Sequence, residues 1–355
     1  MQRSPSTLLR AQLHAVTVLG ATLDLPGTSL VSRGSAPRIS EDVLAGVPAT
    51  VVQPVGPPPG PALVFMNGAT PDGRAHPMVL RLGLALARTG RRVYIPDLPG
   101  VAGGELSPAT LAASSAFTGA VAAAPETAHG RVALTGVSVG ASLALLVAAA
   151  PTVAERISVV ACIAPYSDLA GVMLLATTGT YRDGRSFVPY EVPPYLAVGL
   201  ARSLAAMLPP TEASAALCAE LRGLDPSSVA ALAFPERAFR AAGKEAMTLF
   251  ALLANRDPAR FDELYAALPA KVRSTVEDLS PLRAAARLRA PVEIATAPRD
   301  RYFPVAESRA LVASAAEVRL TVTSLLAHAT PRLSVRYLAE LRRLNGFFVR
   351  ALAAT

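Results

Sequence analysis

Short apolar runs alternate with amphipathic segments in two parts of the chain, and this alternation predicts a parallel sheet with crossover helices. Apolar and β-branched runs predict strands at 47–55, 62–66, 92–95, 131–135, 157–164, 292–295 and 318–322. The first of these is interpreted as an edge strand, and the second, apolar throughout, as a strand covered on both faces. Apolar positions at helical spacing predict helices at 78–89, 108–124, 141–150, 282–288, 307–315 and about 333–353.

The alternation lapses in the middle of the chain, where helical periods occur without a good strand. These periods predict helices at 196–208, 212–221, 240–253 and 261–268. We therefore expect an N-terminal extension with a first helix and a Gly/Ser-rich loop, a core in two parts, and a helical cap inserted between those parts. The corresponding ranges are 1–40 for the extension, 41–167 and 279–355 for the core, and 168–278 for the cap.

Composition excludes several classes of protein. Hydrophobic residues make up 52% of the 355 residues and charged residues 17%, which excludes a disordered chain or a coiled coil. The net charge of +8 comes from scattered arginines without a Lys/Arg block, so we expect no nucleic-acid partner. A compositional bias toward arginine accounts for this charge, and attraction to an anionic membrane or substrate surface is the alternative. The two cysteines form no disulfide framework, in agreement with a reducing compartment.

The N-terminal apolar stretch is too interrupted to cross a membrane. Arg10, His14 and Asp24 break the run from Leu8 to Leu25, and no small-residue cleavage site follows it. We therefore expect a cytoplasmic protein. An amphipathic surface helix at 6–20 leaves open a weak contact with a membrane surface.

The candidate chemistry begins with Gly136-Val137-Ser138-Val139-Gly140, a G-x-S-x-G pattern between a predicted strand and a predicted helix. A serine on such a tight strand-to-helix turn has a strained backbone and an outward-pointing oxygen at the helix N-terminus. The two glycines leave room for the turn, because a Cβ at either position would crowd the neighbouring strand and helix. The pattern in this context predicts that Ser138 is a nucleophile.

A nucleophilic serine needs a base, and the sequence offers four histidines. His328 follows the last predicted strand, and parallel sheets place their active sites at the carboxyl ends of strands. His14, His76 and His129 lie in a predicted helix or in loops and are interpreted as solvated or structural. His328 is therefore the predicted base.

The carboxylate that orients the base should follow another strand between the serine and the histidine. Asp300, in the loop after strand 292–295, fits best, although an exposed aspartate paired with a neighbouring arginine is the alternative interpretation. Asp168, which follows strand 157–164, is its competitor. The order Ser138, Asp300, His328 is the one that accompanies this serine motif.

Backbone donors should stabilise the oxyanion of a tetrahedral intermediate. One is the N–H of Val139, directly after the nucleophile. The other should come from the loop Asn67-Gly68-Ala69 after strand 62–66, with Ala69 as the preferred donor and Gly68 as the alternative.

The chain at this point resembles the α/β-hydrolase superfamily. The resemblance rests on the serine motif, the Asn67-Gly68-Ala69 turn, the segment 94–100, the Arg299-Asp300 loop and His328, and it covers roughly 45–165 and 280–350. It implies an eight-stranded, mostly parallel sheet, a helical cap after the sixth strand, and ester-type hydrolysis without a cofactor or metal. Members often have His-Gly in the oxyanion turn, where this chain has Asn67-Gly68.

The leading hypothesis is a serine hydrolase that cleaves a carboxylic ester or related acyl bond. A cap rich in Leu, Ala and Phe indicates a hydrophobic small-molecule substrate. The alternatives are an acyltransferase with the same triad and a non-catalytic binding module of the same fold. Tyr166, Tyr181 and Tyr190 are interpreted as packing residues rather than as substrate contacts.

Overall fold

A computed structural model describes residues 5–22, 36–56, 61–326 and 335–354. Its strands are β1 (Arg38–Leu44), β2 (Val47–Gln53), β3 (Ala62–Met66), β4 (Val93–Pro96), β5 (Val132–Val137), β6 (Ile157–Ile163), β7 (Thr180–Asp183), β8 (Ser186–Pro189), β9 (Val292–Thr296) and β10 (Val318–Val322). Eight of them form one sheet in the order β1-β2-β4-β3-β5-β6-β9-β10. Only β2 runs against the others, since its pairings with β1 and β4 are antiparallel and all other pairings are parallel. This order is that of the α/β-hydrolase fold, so the predicted fold class is confirmed.

Helices cover both faces of the sheet. They are α1 (Pro5–Thr22), α2 (Pro77–Ala87), α3 (Pro108–Ala123), α4 (Val139–Ala148), α5 (Leu169–Thr178), α6 (Pro194–Ala205), α7 (Glu212–Arg222), α8 (Glu236–Ala241), α9 (Lys244–Leu253), α10 (Phe261–Ala266), α11 (Ala270–Asp278), α12 (Pro281–Ala284), α13 (Val305–Ser314) and α14 (Val335–Ala353). The core on one face is formed with α3, α4 and the inserted helices, and the core on the other face with α1, α2 and α14. None of the described helices is both long enough and apolar enough to span a bilayer.

The central strands β3 and β9 are buried along their whole length. Every residue of β3 is buried, as expected for an apolar strand with parallel neighbours on both sides and helices above and below. β9 is likewise buried throughout. These strands present their carboxyl ends to one edge of the sheet, where the serine turn also lies.

The first predicted strand is not an edge strand, because β1 pairs with it on its outer side. The strand β1 was missed, since its residues are exposed or half-buried and show no alternation of buried and exposed positions. The two strands are joined by Ala45 and Gly46, both with positive φ (51° and 77°), as the right-handed twist of a two-residue hairpin turn requires.

Between β6 and β9 lies the inserted segment, which is mostly helical as predicted. The prediction of no strand within it is wrong, because β7 and β8 form a short antiparallel hairpin. Four-residue strands with largely exposed side chains carry too little apolar periodicity to be recognised.

Arg202 of α6 fastens the insertion to the core. Its buried guanidinium donates to the carbonyl oxygens of Leu221, Arg222 and Leu224 at the end of α7, at 2.9 to 3.1 Å. It also donates to the Gly103 carbonyl of the loop after β4, at 2.8 Å. A cation at a helix C-terminus satisfies carbonyl groups that the helix itself leaves without donors.

Candidate active site

Ser138 occupies the turn between β5 and α4 in a strained conformation. Its φ of 55° and ψ of −127° are rare for a residue with a Cβ. Its N–H donates to the Ile163 carbonyl at the end of β6, at 2.8 Å. The side chain makes no capping hydrogen bond to α4. The strain is thus held by the sheet, and the hydroxyl stands at the N-terminus of the helix.

The two glycines of the motif are required by close backbone contacts. A Cβ on Gly136 would lie 2.4 Å from the Gly140 oxygen, and a Cβ on Gly140 would lie 2.2 Å from the Met66 oxygen and 2.4 Å from the Asn67 oxygen. Real Cβ atoms essentially never approach within 3.0 Å of such atoms. The glycines therefore allow the helix to start directly against the end of β3.

The loop after β3 lies beside the serine. A Cβ on Gly68 would be 3.3 Å from the Ser138 Cβ. The buried Asn67 side chain donates from Nδ2 to the Gly68 carbonyl at 2.9 Å and so fixes the shape of the turn. Within the described residues, no acceptor is bound by the N–H groups of Val139, Gly68 or Ala69. The predicted oxyanion donors are the N–H of Val139 and that of Ala69, with Gly68 as the alternative to Ala69.

Ser138 and Asp300 line the same cavity, which has a volume of about 480 Å³. It lies at the carboxyl edge of the sheet, between the core and the inserted helices. Its lining is mainly aliphatic and aromatic and includes Leu82, Leu106, Val172, Leu196 and Leu200. Asp300 is the only charged side chain among the described lining residues.

Asp300 is oriented by its own loop, which follows β9. Its Oδ1 accepts from the N–H of Tyr302 at 2.9 Å and from the N–H of Phe303 at 3.1 Å. Its competitor, Asp168, instead caps α5: its Oδ1 accepts from the Ala170 N–H at 3.3 Å, and Ser280 donates to it at the same distance. Asp168 is not among the residues that line the cavity. The geometry thus brings Asp300 to the serine's cavity and gives Asp168 a structural role.

The predicted base, His328, lies outside the described residues and stays a prediction. Among the other histidines, His76 lines the cavity. Its Nδ1 accepts a hydrogen bond from the Met78 N–H at 3.2 Å, as the N-cap of α2. The neutral ring then carries its proton on Nε2 and presents a donor there, which is unsuited to accepting a proton from serine.

Glu307 carries a buried carboxyl whose role no sequence motif predicts. Its Oε2 accepts from the N–H and the hydroxyl of Ser167, at 2.7 and 2.6 Å, and from the N–H of Asp168, at 3.1 Å. Burial is the main cause that raises the pKa of Glu307, opposed by these hydrogen bonds. It clamps the loop after β6, which lines the cavity through Ala164 and Tyr166. No local sequence signal marks a partner about 140 residues away.

The loop after β6 is also held from α4, the helix that begins directly after Ser138. Ser142, one turn beyond Ser138, donates to the Tyr166 carbonyl at 2.9 Å. Tyr166 is buried, donates to the Leu279 carbonyl at 2.9 Å, and packs edge-to-face against Phe303 at 5.7 Å. Tyr166 therefore packs in the core and lines the cavity at once.

The described part of the chain contains no cluster of three or more His, Cys, Asp or Glu side chains arranged to hold a metal ion. Cys162 is buried in β6, where burial raises the pKa of its thiol. It is thus a core residue.

Sequence comparisons find no relative: no protein-family model matches the chain, and no curated protein matches it. Among solved structures, it is similar to Porphyromonas gingivalis dipeptidyl peptidase 4 (12% identity, TM-score 0.49, 92% of this chain and 37% of that one). Two others are Pyrococcus horikoshii acylaminoacyl peptidase (12%, 0.49, 90% and 41%) and a Mycobacterium tuberculosis puromycin-hydrolyzing peptidase (18%, 0.46, 89% and 37%). The chain thus spans well under half the length of each, and its fold assignment rests on its own strand order and serine turn.

Proposed function

We propose that this chain, a member of the α/β-hydrolase superfamily by its strand order and serine turn, is a serine hydrolase. It would cleave a carboxylic ester or related acyl bond of a hydrophobic small molecule. The observation that carries the proposal is the strained Ser138, which shares an apolar cavity with Asp300. Strain at a residue with a Cβ is retained where function needs it, and here it exposes a hydroxyl to the cavity.

In the proposed mechanism His328 takes the proton of Ser138 while the serine oxygen attacks the acyl carbon. The carboxylate of Asp300 would orient the imidazole and stabilise its charged form. The N–H of Val139, with that of Ala69 or Gly68, would donate to the oxyanion. Return of the proton expels the leaving group, and a water activated by the same base then releases the acyl group from the serine.

The cavity favours an uncharged apolar acyl group. Its described lining offers no lysine, arginine or glutamate that could pair with a charged substrate group. Desolvating a charge without a partner is costly, whereas apolar surface gains about 25 cal/mol per Å² on burial. The names of the similar structures point to peptides as the competing substrate class. A peptide with a free amino terminus would have Asp300 alone to neutralise it, and the proposed mechanism already uses that carboxylate.

The test is covalent labelling by a fluorophosphonate probe, with mass spectrometry to locate the adduct. We expect labelling at Ser138 in the wild type and none in Ser138→Ala. Ser142→Ala is the matched control, because Ser142 lies one turn further along the same helix with its hydroxyl bonded to backbone. A folded wild type that is not labelled contradicts the proposal and favours a binding module. Labelling that persists in Ser138→Ala contradicts it by showing that another residue is the nucleophile.

Substrate class is tested on unlabelled enzyme, because the probe blocks Ser138, with two chromogenic panels. Neutral p-nitrophenyl esters of increasing acyl length should be turned over, with kcat/KM rising as the cavity fills. Peptide p-nitroanilides with a free amino terminus should be poor substrates, and a preference for them would overturn the ester assignment. Labelling without turnover in either panel would favour the acyltransferase alternative, which a panel of alcohol and thiol acceptors would reveal.

A further inference from the structure

We propose that Tyr190 of the inserted segment is a positioning residue for Asp300, so that the β7–β8 hairpin holds the acid in place. The inference rests on the proposed function, since it assigns a supporting residue to that triad. Tyr190 directly follows β8, and its hydroxyl donates to the backbone carbonyl of Asp300. The two residues are 110 positions apart.

The hydroxyl of Tyr190 is suited to this role because it stays protonated. Burial, followed by the nearby Asp300 carboxylate, raises its pKa to about 12. Its ring packs edge-to-face against Tyr181 of β7, with centroids 5.8 Å apart. The side chain is therefore fixed both by its ring and by its hydrogen bond.

The hairpin that carries Tyr190 is itself anchored. The Tyr190 N–H donates to the Gly179 carbonyl at 2.8 Å. Arg182 of β7 donates to both carboxylate oxygens of Asp262 in α10, at 2.6 Å each, and lies over the Phe187 ring at 5.2 Å. A continuous chain of contacts thus runs from the inserted helices through the hairpin to the loop that carries Asp300.

The loop that carries Asp300, residues 297–303, has few hydrogen bonds that fix its position relative to the rest of the described chain. The two N–H groups that bind the Asp300 carboxylate belong to Tyr302 and Phe303, which are in the same loop. They orient the carboxylate within the loop but do not place the loop relative to Ser138. Among the described hydrogen bonds of residues 297–303, only the one from Tyr190 comes from another part of the chain.

The experiment compares Tyr190→Phe with Tyr181→Phe as the matched control. Both variants keep the two rings packed, and only the first removes the hydroxyl that binds Asp300. For a p-nitrophenyl ester we expect Tyr190→Phe to lower kcat about 3- to 10-fold with KM nearly unchanged, the scale of one lost hydrogen bond. A less well-placed carboxylate stabilises the charged base less, so the pKa of the acidic limb of the pH profile should fall.

A double-mutant cycle separates positioning from general damage to the insertion. In an Asp300→Asn background, Tyr190→Phe should cost little further kcat, because the carboxylate that it positions is gone. The inference is overturned if the two substitutions lower kcat additively. It is also overturned if Tyr190→Phe raises only KM, or if Tyr190→Phe and Tyr181→Phe have the same kinetic parameters.

Hydrogen exchange gives a readout that does not depend on activity. The amides of 297–303 should exchange faster in Tyr190→Phe than in Tyr181→Phe, and equal rates overturn the inference even if the chain hydrolyses nothing. Failure of fluorophosphonate labelling in the wild type, by contrast, would contradict the proposed function only. Whether Tyr190 anchors the loop 297–303 would still be decided by the exchange rates.

Discussion

Replacing Gly140 by alanine should damage both the fold and the site, because the added methyl group meets main-chain atoms on two residues. Its Cβ would lie 2.2 Å from the Met66 oxygen and 2.4 Å from the Asn67 oxygen. Neither oxygen belongs to a flexible side chain. Helix α4 and the end of β3 would have to separate by about 1 Å to restore ordinary contact.

The magnitude follows from the rigidity of that junction. Overpacking of a tight core costs typically about 1–3 kcal/mol, and two backbone clashes at a buried sheet edge place this change at about 3 kcal/mol or more. For a chain of 355 residues, whose unfolding entropy is about 2.1 cal/mol/K per residue, that lowers Tm by roughly 4 °C or more. The same displacement moves the Asn67-Gly68-Ala69 turn away from Ser138, and a misplacement of about 1 Å costs on the order of 100-fold in rate.

Gly119→Ala is the matched control, since Gly119 also lies in a helix, α3, and a Cβ there would meet Val153 Cγ1 at an ordinary 3.5 Å. That change should be neutral or stabilising by up to about 1 kcal/mol. Calorimetry, together with labelling rates at Ser138, compares the two variants. A Gly140→Ala protein with the Tm and labelling rate of the wild type would refute this account of the serine turn.

Two further predictions concern carboxyl groups. Asp300→Asn should lower kcat by about 10⁴-fold, as loss of the orienting carboxylate does in such triads. Asp168→Asn should leave kcat nearly unchanged, because asparagine caps a helix as well as aspartate does. Steady-state kinetics measure both, and a larger loss of kcat in Asp168→Asn would show that the acid is misassigned. Glu307→Gln should flatten the dependence of stability on pH. In the wild type the pKa of Glu307 is raised in the folded state, so the folded protein holds this proton more tightly than the unfolded chain does. The stability of the wild type therefore falls as the pH rises from near 4.5 through the raised pKa. Denaturant unfolding at about pH 4 and about pH 8 measures this, and an unfolding free energy that declines equally with pH in both proteins would exclude Glu307 as the cause.

The central architecture was predictable because its strands carry their own signal. β3 is an apolar run, β9 is rich in apolar and β-branched residues, and both are buried throughout. The serine turn between β5 and α4 needs glycines that are visible in the sequence. β1 and the β7–β8 hairpin were missed because exposed strands need no apolar alternation.

The positions of Ser138 and Asp300 could be predicted because each residue follows a strand that the sequence predicts. Ser138 and Asp300 each follow a strand of one parallel sheet, and the carboxyl ends of parallel strands meet at one edge. The supporting contacts of Glu307 and Tyr190 could not be inferred, since each joins residues more than a hundred positions apart through a hydrogen bond that leaves no pattern in the sequence.

The positive φ angles at the cavity have a consequence for the evolution of this chain. Ser138 (φ 55°) and Ala164 (φ 49°) both line the cavity in conformations that glycine would adopt more readily. A library selected for heat resistance alone would therefore drift toward glycine at both positions, and at 138 that drift would remove the proposed nucleophile. Selection for heat resistance and selection for turnover would therefore favour different residues at position 138. Only a selection that couples survival to turnover would keep the serine.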